Sequence, residues 1–414
     1  MNNPNTTSRT ARFYPWVIAG LALFMLMVTN GMTTTGLTAF DESLLKEFGW
    51  SRGELKFRDF ITLITAGTLA PFAGFLIDKI GTRKLMLGGS ALFAALVYFY
   101  GSINSLTQLY LIHAGFGIVL VCAGLNVAVV SVSQWFVRSR GTAVGIALVG
   151  SSLGGVVLPP IILALLTTGG WRYGFQWMAT SAVLFFVLAF FLARTPKEKG
   201  VPPLGALDAP NNGKISRAAA PSPNDLTYKQ ATSTLSFWAL TFVGMASFYA
   251  ILSLAAHLFL HMRDLGFDPK TAGSALGLLF GLGLISKFLF GFLSDLLNPR
   301  IVFVSNVGLM LVGLILMATF DKSVIWAGIA ITGFGWGGLY TLIQLQTVNN
   351  FGVSHTGKIL GTITMLDAYA GGLGIWLTGV MFDKFGNYHI AFYILCGLMI
   401  LAFIASTQVR REIK

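Results

Sequence analysis

Twelve separate apolar runs, each long enough to cross a lipid bilayer, punctuate this chain. They lie near 13–39, 60–77, 85–104, 108–132, 143–167 and 175–193, then 236–260, 272–294, 301–320, 324–349, 359–381 and 388–407. Inside hydrocarbon every backbone N–H and C=O must find its partner within the segment, so runs of this kind form α-helices. The fold class expected is an all-α membrane protein of twelve transmembrane helices. Charged residues make up only 11% of the chain and mean hydropathy is +0.73, whereas a soluble domain carries about 25% charge. The first apolar run is too long for a cleaved signal peptide and is expected to remain as a span.

The runs fall into two sets of six. Residues 194–235, rich in Pro, Ala, Asn and Lys, separate them and read as a linker. The organisation expected is a cytoplasmic tail 1–12, a six-helix half 13–193, a cytoplasmic linker 194–235, a second six-helix half 236–407 and a cytoplasmic tail 408–414. With both termini inside, the cytoplasmic segments hold 18 of the 28 Lys and Arg residues and the outer loops nine, among them Arg52, Lys56 and Arg58. That bias sets orientation and accounts for the net charge of +12 without nucleic acid.

The halves repeat. Gly74-Phe75-Leu76-Ile77-Asp78 recurs as Gly291-Phe292-Leu293-Ser294-Asp295, and Gly115-Phe116-Gly117 as Gly333-Phe334-Gly335. Gly141, Gly145 and Gly155 fall on Gly357, Gly361 and Gly371. Pseudo-symmetric parallel halves with a site between them near the midplane are a transporter plan.

Two charges stand out within the apolar runs. Lys287 lies eight residues before Asp295, about 12 Å deep if Asp295 marks the membrane surface. Asp367 lies nine residues past Lys358, about 13–14 Å deep on the same side. No other Lys, Arg or acid is placed within a span by hydropathy. Intramembrane ionisable groups are costly and mark function by default. Lys287 can meet a carboxylate as a point charge; the competing reading is a structural pair with Asp367. Asp367 can carry a coupled proton, or remain a permanently ionised counter-ion.

Several stretches resemble the major facilitator superfamily. Gly74-Phe-Leu-Ile-Asp78-Lys79-Ile-Gly81-Thr-Arg83-Lys84 is similar to its signature after the second span. Arg138-Ser-Arg140-Gly141, Gly150-Ser-Ser-Leu-Gly154-Gly155 and Gly170-Trp171-Arg172 also look like that superfamily. Phe40-Asp-Glu-Ser-Leu-Leu-Lys-Glu-Phe48-Gly49-Trp50-Ser51-Arg52 and His257-Leu-Phe-Leu-His261-Met-Arg-Asp-Leu-Gly266 are similar to the monocarboxylate-porter and oxalate:formate-antiporter group. The resemblance implies transport of a small organic anion, with a proton or by exchange. The group's members carry an acid and a cation in the eighth span, or cations in the eighth and eleventh. Here the eighth has Lys287 alone and the eleventh has Asp367, a pattern suited to a single negative charge.

The sequence-based expectation is therefore secondary active transport of a monocarboxylate with a proton; organic-anion exchange is the alternative. Lys287 is the substrate cation and Asp367 the proton group. Asn30, Tyr249 and Tyr340 are candidate hydrogen-bond donors, although each alone is also an ordinary packing residue. His257 is a pocket candidate whose competing reading, shared with His261, is an interface histidine; His113 is a packing residue. Asp78, Arg83, Lys84, Asp295 and Arg300 are candidate gating charges at cytoplasmic span ends. No cofactor or metal site is expected, and Cys122 and Cys396 read as packing residues. The protein is placed as a monomer among the lipids of a bacterial cytoplasmic membrane, and no enzymatic constellation is present.

Overall fold

The computed structural model describes residues 9–137, 139–205, 225–352 and 355–412. Nine helical stretches among them are long and apolar enough to cross a membrane. One, Gly141–Leu192, breaks at Gly170, whose φ of 76° lies in the left-handed region that glycine tolerates, and so forms the fifth and sixth spans. Adding Thr82–Tyr100 and Ile325–Phe351 gives the twelve that the sequence predicts. Much of the expected linker, 206–224, lies outside the described residues.

Local chemistry sets the span ends. Asp268 accepts hydrogen bonds from the Lys270 and Thr271 backbone N–H groups and opens the eighth span, Pro269–Leu296. Asn298 opens the ninth, Pro299–Met317, by accepting from the Arg300 backbone N–H. In both, Pro occupies the first helical position, where its missing N–H costs nothing.

The halves are built alike. The first span packs on the fifth as the seventh, Leu235–Asp264, packs on the eleventh, Thr356–Phe385. The second packs on the fourth, Leu106–Cys122, as the eighth packs on the tenth, Ile325–Phe351. Two seams join the halves: second span to eleventh, and fifth to eighth. Below, the side carrying the termini and linker is the linker face, and the other is the far face.

Two spans depart from expectation. The first runs as α-helix over Arg9–Asn30, then as a π turn over Gly31–Thr35 and a 3-10 turn over Gly36–Phe40. The second begins at Arg52, eight residues before its predicted start, because Ser51 and Glu54 form a reciprocal capping box. Lys56 and Arg58, expected in an outer loop, therefore lie inside a helix and are fully buried. The expectation that Lys287 is the one in-span cation and Asp367 the one in-span acid is corrected accordingly.

Candidate functional site

Lys287 projects from the eighth span toward the fifth. Its Nζ donates to Ser152 Oγ at 2.8 Å, a hydrogen bond between the halves. Close approach of the eighth and tenth spans sets the backbone here: a Cβ on Gly283 would lie 3.3 Å from the Gly333 carbonyl. Lys287 and Asp367 form no ion pair; a hydroxyl, not a carboxylate, holds the ammonium.

Asp367 is 3% exposed and its Oδ1 has no hydrogen-bond partner. It faces Gly244 on the seventh span, where a Cβ would stand 2.6 Å from Oδ1, so glycine there makes room for the carboxyl. Tyr340 stands on the tenth span. Phe248 joins this group, its ring centroid 6.1 Å from that of Tyr340 and 4.9 Å from that of Trp336. Tyr249 packs instead over Gly374 of the eleventh span. Two residues beyond Asp367, the Tyr369 hydroxyl meets Thr68 Oγ1 at 2.8 Å and ties the eleventh span to the second. Asn30 is half-buried at the head of the π turn, a local geometry often found at functional positions.

His257 is not part of this group. It lies 13 residues beyond Gly244, about 20 Å along the helix. Its Nδ1 meets the Tyr388 hydroxyl at 3.0 Å and its Nε2 the Ile375 carbonyl at 2.9 Å. His261 packs beside Tyr388 and Phe392. Both histidines belong to the far-face packing.

The far face holds a charge cluster that hydropathy does not reveal. Asp41 accepts from Lys56 Nζ at 2.5 Å and from Arg58. Lys56 also donates to the Ala256 carbonyl on the seventh span at 2.5 Å. Arg58 reaches the Tyr100 hydroxyl at 3.1 Å, and Tyr100 and Thr62 both contact the His113 ring. Asp59 lies 3.6 Å from Arg58 Nε and 4.0 Å from Lys56 Nζ, with neither oxygen hydrogen-bonded. Two cations and two acids sum to a formally neutral group. Around it, Arg52 makes two hydrogen bonds to Asp264, at 2.7 and 2.8 Å, and one to Tyr388 at 2.6 Å. Asp383 accepts from the Arg52 and Gly53 backbone N–H groups at 2.8 and 2.6 Å, capping the second span from the other half. Arg263 grips Glu42 through two further hydrogen bonds, at 2.8 and 2.9 Å. Each of these pairs joins the halves.

At the linker face the candidate gating charges make no such pairs among the described residues. Arg83 donates to the Phe190 carbonyl at 3.2 Å and Arg300 to the Thr407 carbonyl, both within their own half. Asp78 and Lys84 are exposed and form no ion pair; the Asp295 side chain lies outside the described residues. Among the described residues, the ion pairs between the halves thus all lie at the far face.

A family model, Major Facilitator Superfamily, matches residues 19–375 and 262–412. The chain is 24% identical over 418 residues to an oxalate:formate antiporter of Oxalobacter formigenes, covering 99% of this chain and 95% of that one. It is 27% identical over 404 residues to human monocarboxylate transporter 11, covering 94% and 81%. Among solved structures it matches a bacterial homologue of the human lysosomal transporter Spinster, in an inward-facing and occupied conformation. That match has a TM-score of 0.68 at 16% identity and covers 97% of this chain and 95% of the other.

Proposed function

The chain belongs to the Major Facilitator Superfamily, and from that membership we propose that it moves a small monocarboxylate together with a proton by alternating access between its two six-helix halves. The observation that carries this reading is a contrast between the cations within the spans. Lys56 and Arg58 are neutralised by Asp41 and Asp59, whereas among the described residues Lys287 has only the Ser152 hydroxyl. An unneutralised ammonium within a span is stable enough to keep only if something anionic visits it. A carboxylate displaces the serine and takes the ammonium. The names of its relatives, an oxalate:formate antiporter and a monocarboxylate transporter, belong to carriers of this chemical class.

Asp367 is the proton group of this scheme. Its unpartnered Oδ1 has no donor to hold it ionised. Because Lys287 and Asp367 stand apart, the anion does not pull one from the other. The two loads sit on different spans and are linked through the motion of the halves. Tyr340 on the tenth span and Asn30 at the π turn complete the polar lining, with Tyr249 positioning the eleventh span.

With both termini cytoplasmic, as the Lys and Arg bias expects, a clamped far face corresponds to an inward-facing state in the bacterial cytoplasmic membrane. Asp78, Arg83, Lys84, Asp295 and Arg300 then pair across the linker face when the far face opens. Full-length similarity to an antiporter favours exchange as the second reading. Proteoliposomes loaded with unlabelled monocarboxylate separate the two. Symport predicts accumulation of labelled anion driven by a pH gradient alone. Counterflow that proceeds while a pH gradient drives no accumulation establishes exchange instead.

A further inference from the structure

At the far face, where the fifth and eighth spans diverge, lies a cleft of about 790 Å³ that the transport scheme does not use. Both halves line it. Val156, Pro160 and Leu163 form one wall, and Phe259, Gly273 and Gly277 the other. From Val156 to Thr167 the wall runs 11 residues, about 16 Å of helix. The volume is within the range filled by a single ligand of drug size.

The charges at its mouth are not equivalent. Glu42 is held by two hydrogen bonds from Arg263. Asp268 is occupied as the cap of the eighth span, accepting from the Lys270 and Thr271 backbone N–H groups and, at 2.5 Å, from the Thr271 hydroxyl. Lys270, exposed at the rim, lines the same cleft, and among the described residues its Nζ makes no hydrogen bond or ion pair. An apolar slot with one uncommitted cation at its rim is complementary to one apolar chain with one negative head.

We propose that this cleft binds a single-chain amphiphilic carboxylate of fatty-acid type, drawn from the membrane, with its head at Lys270 and its chain along Val156 and Gly277. Because the slot is bounded by both halves in the far-face-clamped conformer, an occupant that fits it stabilises that conformer and slows transport without competing at Lys287.

Binding of radiolabelled laurate to the purified full-length protein tests this. Dodecanol and acetate serve as competitors that supply the chain or the charge alone. Lys270→Gln is expected to weaken laurate binding about tenfold or more, the loss of one charge-assisted contact. Gly277→Leu fills the slot, since a Cβ there meets nothing within 4 Å, and is expected to abolish binding. Lys287→Ala is expected to leave laurate binding as in wild type, which distinguishes the cleft from the transport site. Dodecanol and acetate are expected to displace laurate poorly. The proposal is overturned if Lys270→Gln binds laurate as wild type does. Equal competition by dodecanol, or displacement by a two-chain anionic phospholipid at matched concentration, also overturns it.

Discussion

Lys56 and Ala256 lie in opposite halves of the protein, yet the Lys56 ammonium donates to the Ala256 carbonyl at 2.5 Å while fully shielded from solvent. The same ammonium is held at 2.5 Å by Asp41 of its own half. Opening the far face must therefore break a buried charge-assisted bond, and Asp41 remains behind to keep the lysine neutralised. A cation with a permanent partner in one half and a separable partner in the other is a latch that resets without stranding a charge.

That arrangement makes Asp41 the residue on which the cluster's stability depends. Asp41→Asn leaves Lys56 and Arg58 buried without their shared acid. Removing one partner of a buried pair costs about 3–5 kcal/mol, so thermal unfolding in detergent is expected to drop sharply. Replacing Asp41, Lys56, Arg58 and Asp59 together with apolar residues of similar volume is expected to restore much of the loss, because no charge is then left uncompensated.

At the rim, Arg52 and Asp264 form a two-pronged pair between the halves. Exchanging them, Arg52→Asp with Asp264→Arg, is expected to retain far-face closure better than either single change. Cysteine labelling from the far face reads this out. Each single variant is expected to label faster, and the double variant to return toward wild type, with a coupling of about 0.5–3 kcal/mol.

Glycine at 244 and at 145 is expected to behave oppositely. A Cβ at Gly244 would stand 2.6 Å from Asp367 Oδ1, whereas one at Gly145 meets nothing within 4 Å. Gly244→Ala is expected to impair transport while the protein still folds, by pushing the carboxyl out of its place. Gly145→Ala is expected to transport normally and to be marginally more stable, since alanine is the better helix former by about 1 kcal/mol. Initial rates in proteoliposomes at matched protein density check both.

These contrasts mark where the sequence was legible. Span number and the repeated halves follow from hydropathy and from motif pairs such as Gly74–Asp78 and Gly291–Asp295, because lipid permits the backbone almost no other solution. Lys287 and Asp367 stood out because each interrupts an otherwise apolar run. Lys56, Arg58 and Asp59 did not, because Ser51 to Asp59 is locally as polar as a loop. Their burial depends on Asp41, which the chain supplies from before the intervening turn, and on a carbonyl 200 residues away. One signal was available: Ser51 and Glu54 at capping-box spacing announce a helix start at that point. For His257 the sequence left two readings, pocket group or interface histidine, because helix position alone does not show which neighbours reach a side chain; its contacts with Tyr388 and the Ile375 carbonyl are those of far-face packing.

The proton role of Asp367 has its own signature. In wild type, a pH gradient is expected to drive accumulation of the anion. Asp367→Asn is expected to abolish that accumulation while anion exchange at equal pH continues. Equal responses to the gradient in both proteins would remove Asp367 from the coupling scheme.

The most direct test of the transport site is the affinity of the purified protein for its monocarboxylate substrate, measured by equilibrium binding in wild type and in Lys287→Gln. Loss of one charge-assisted bond to a carboxylate predicts affinity lower by roughly tenfold to a hundredfold, with unfolding temperature preserved because the change removes a charge rather than stranding one. Unchanged affinity in Lys287→Gln, with transport proceeding at the wild-type rate, would contradict the assignment of Lys287 as the group that receives the anion.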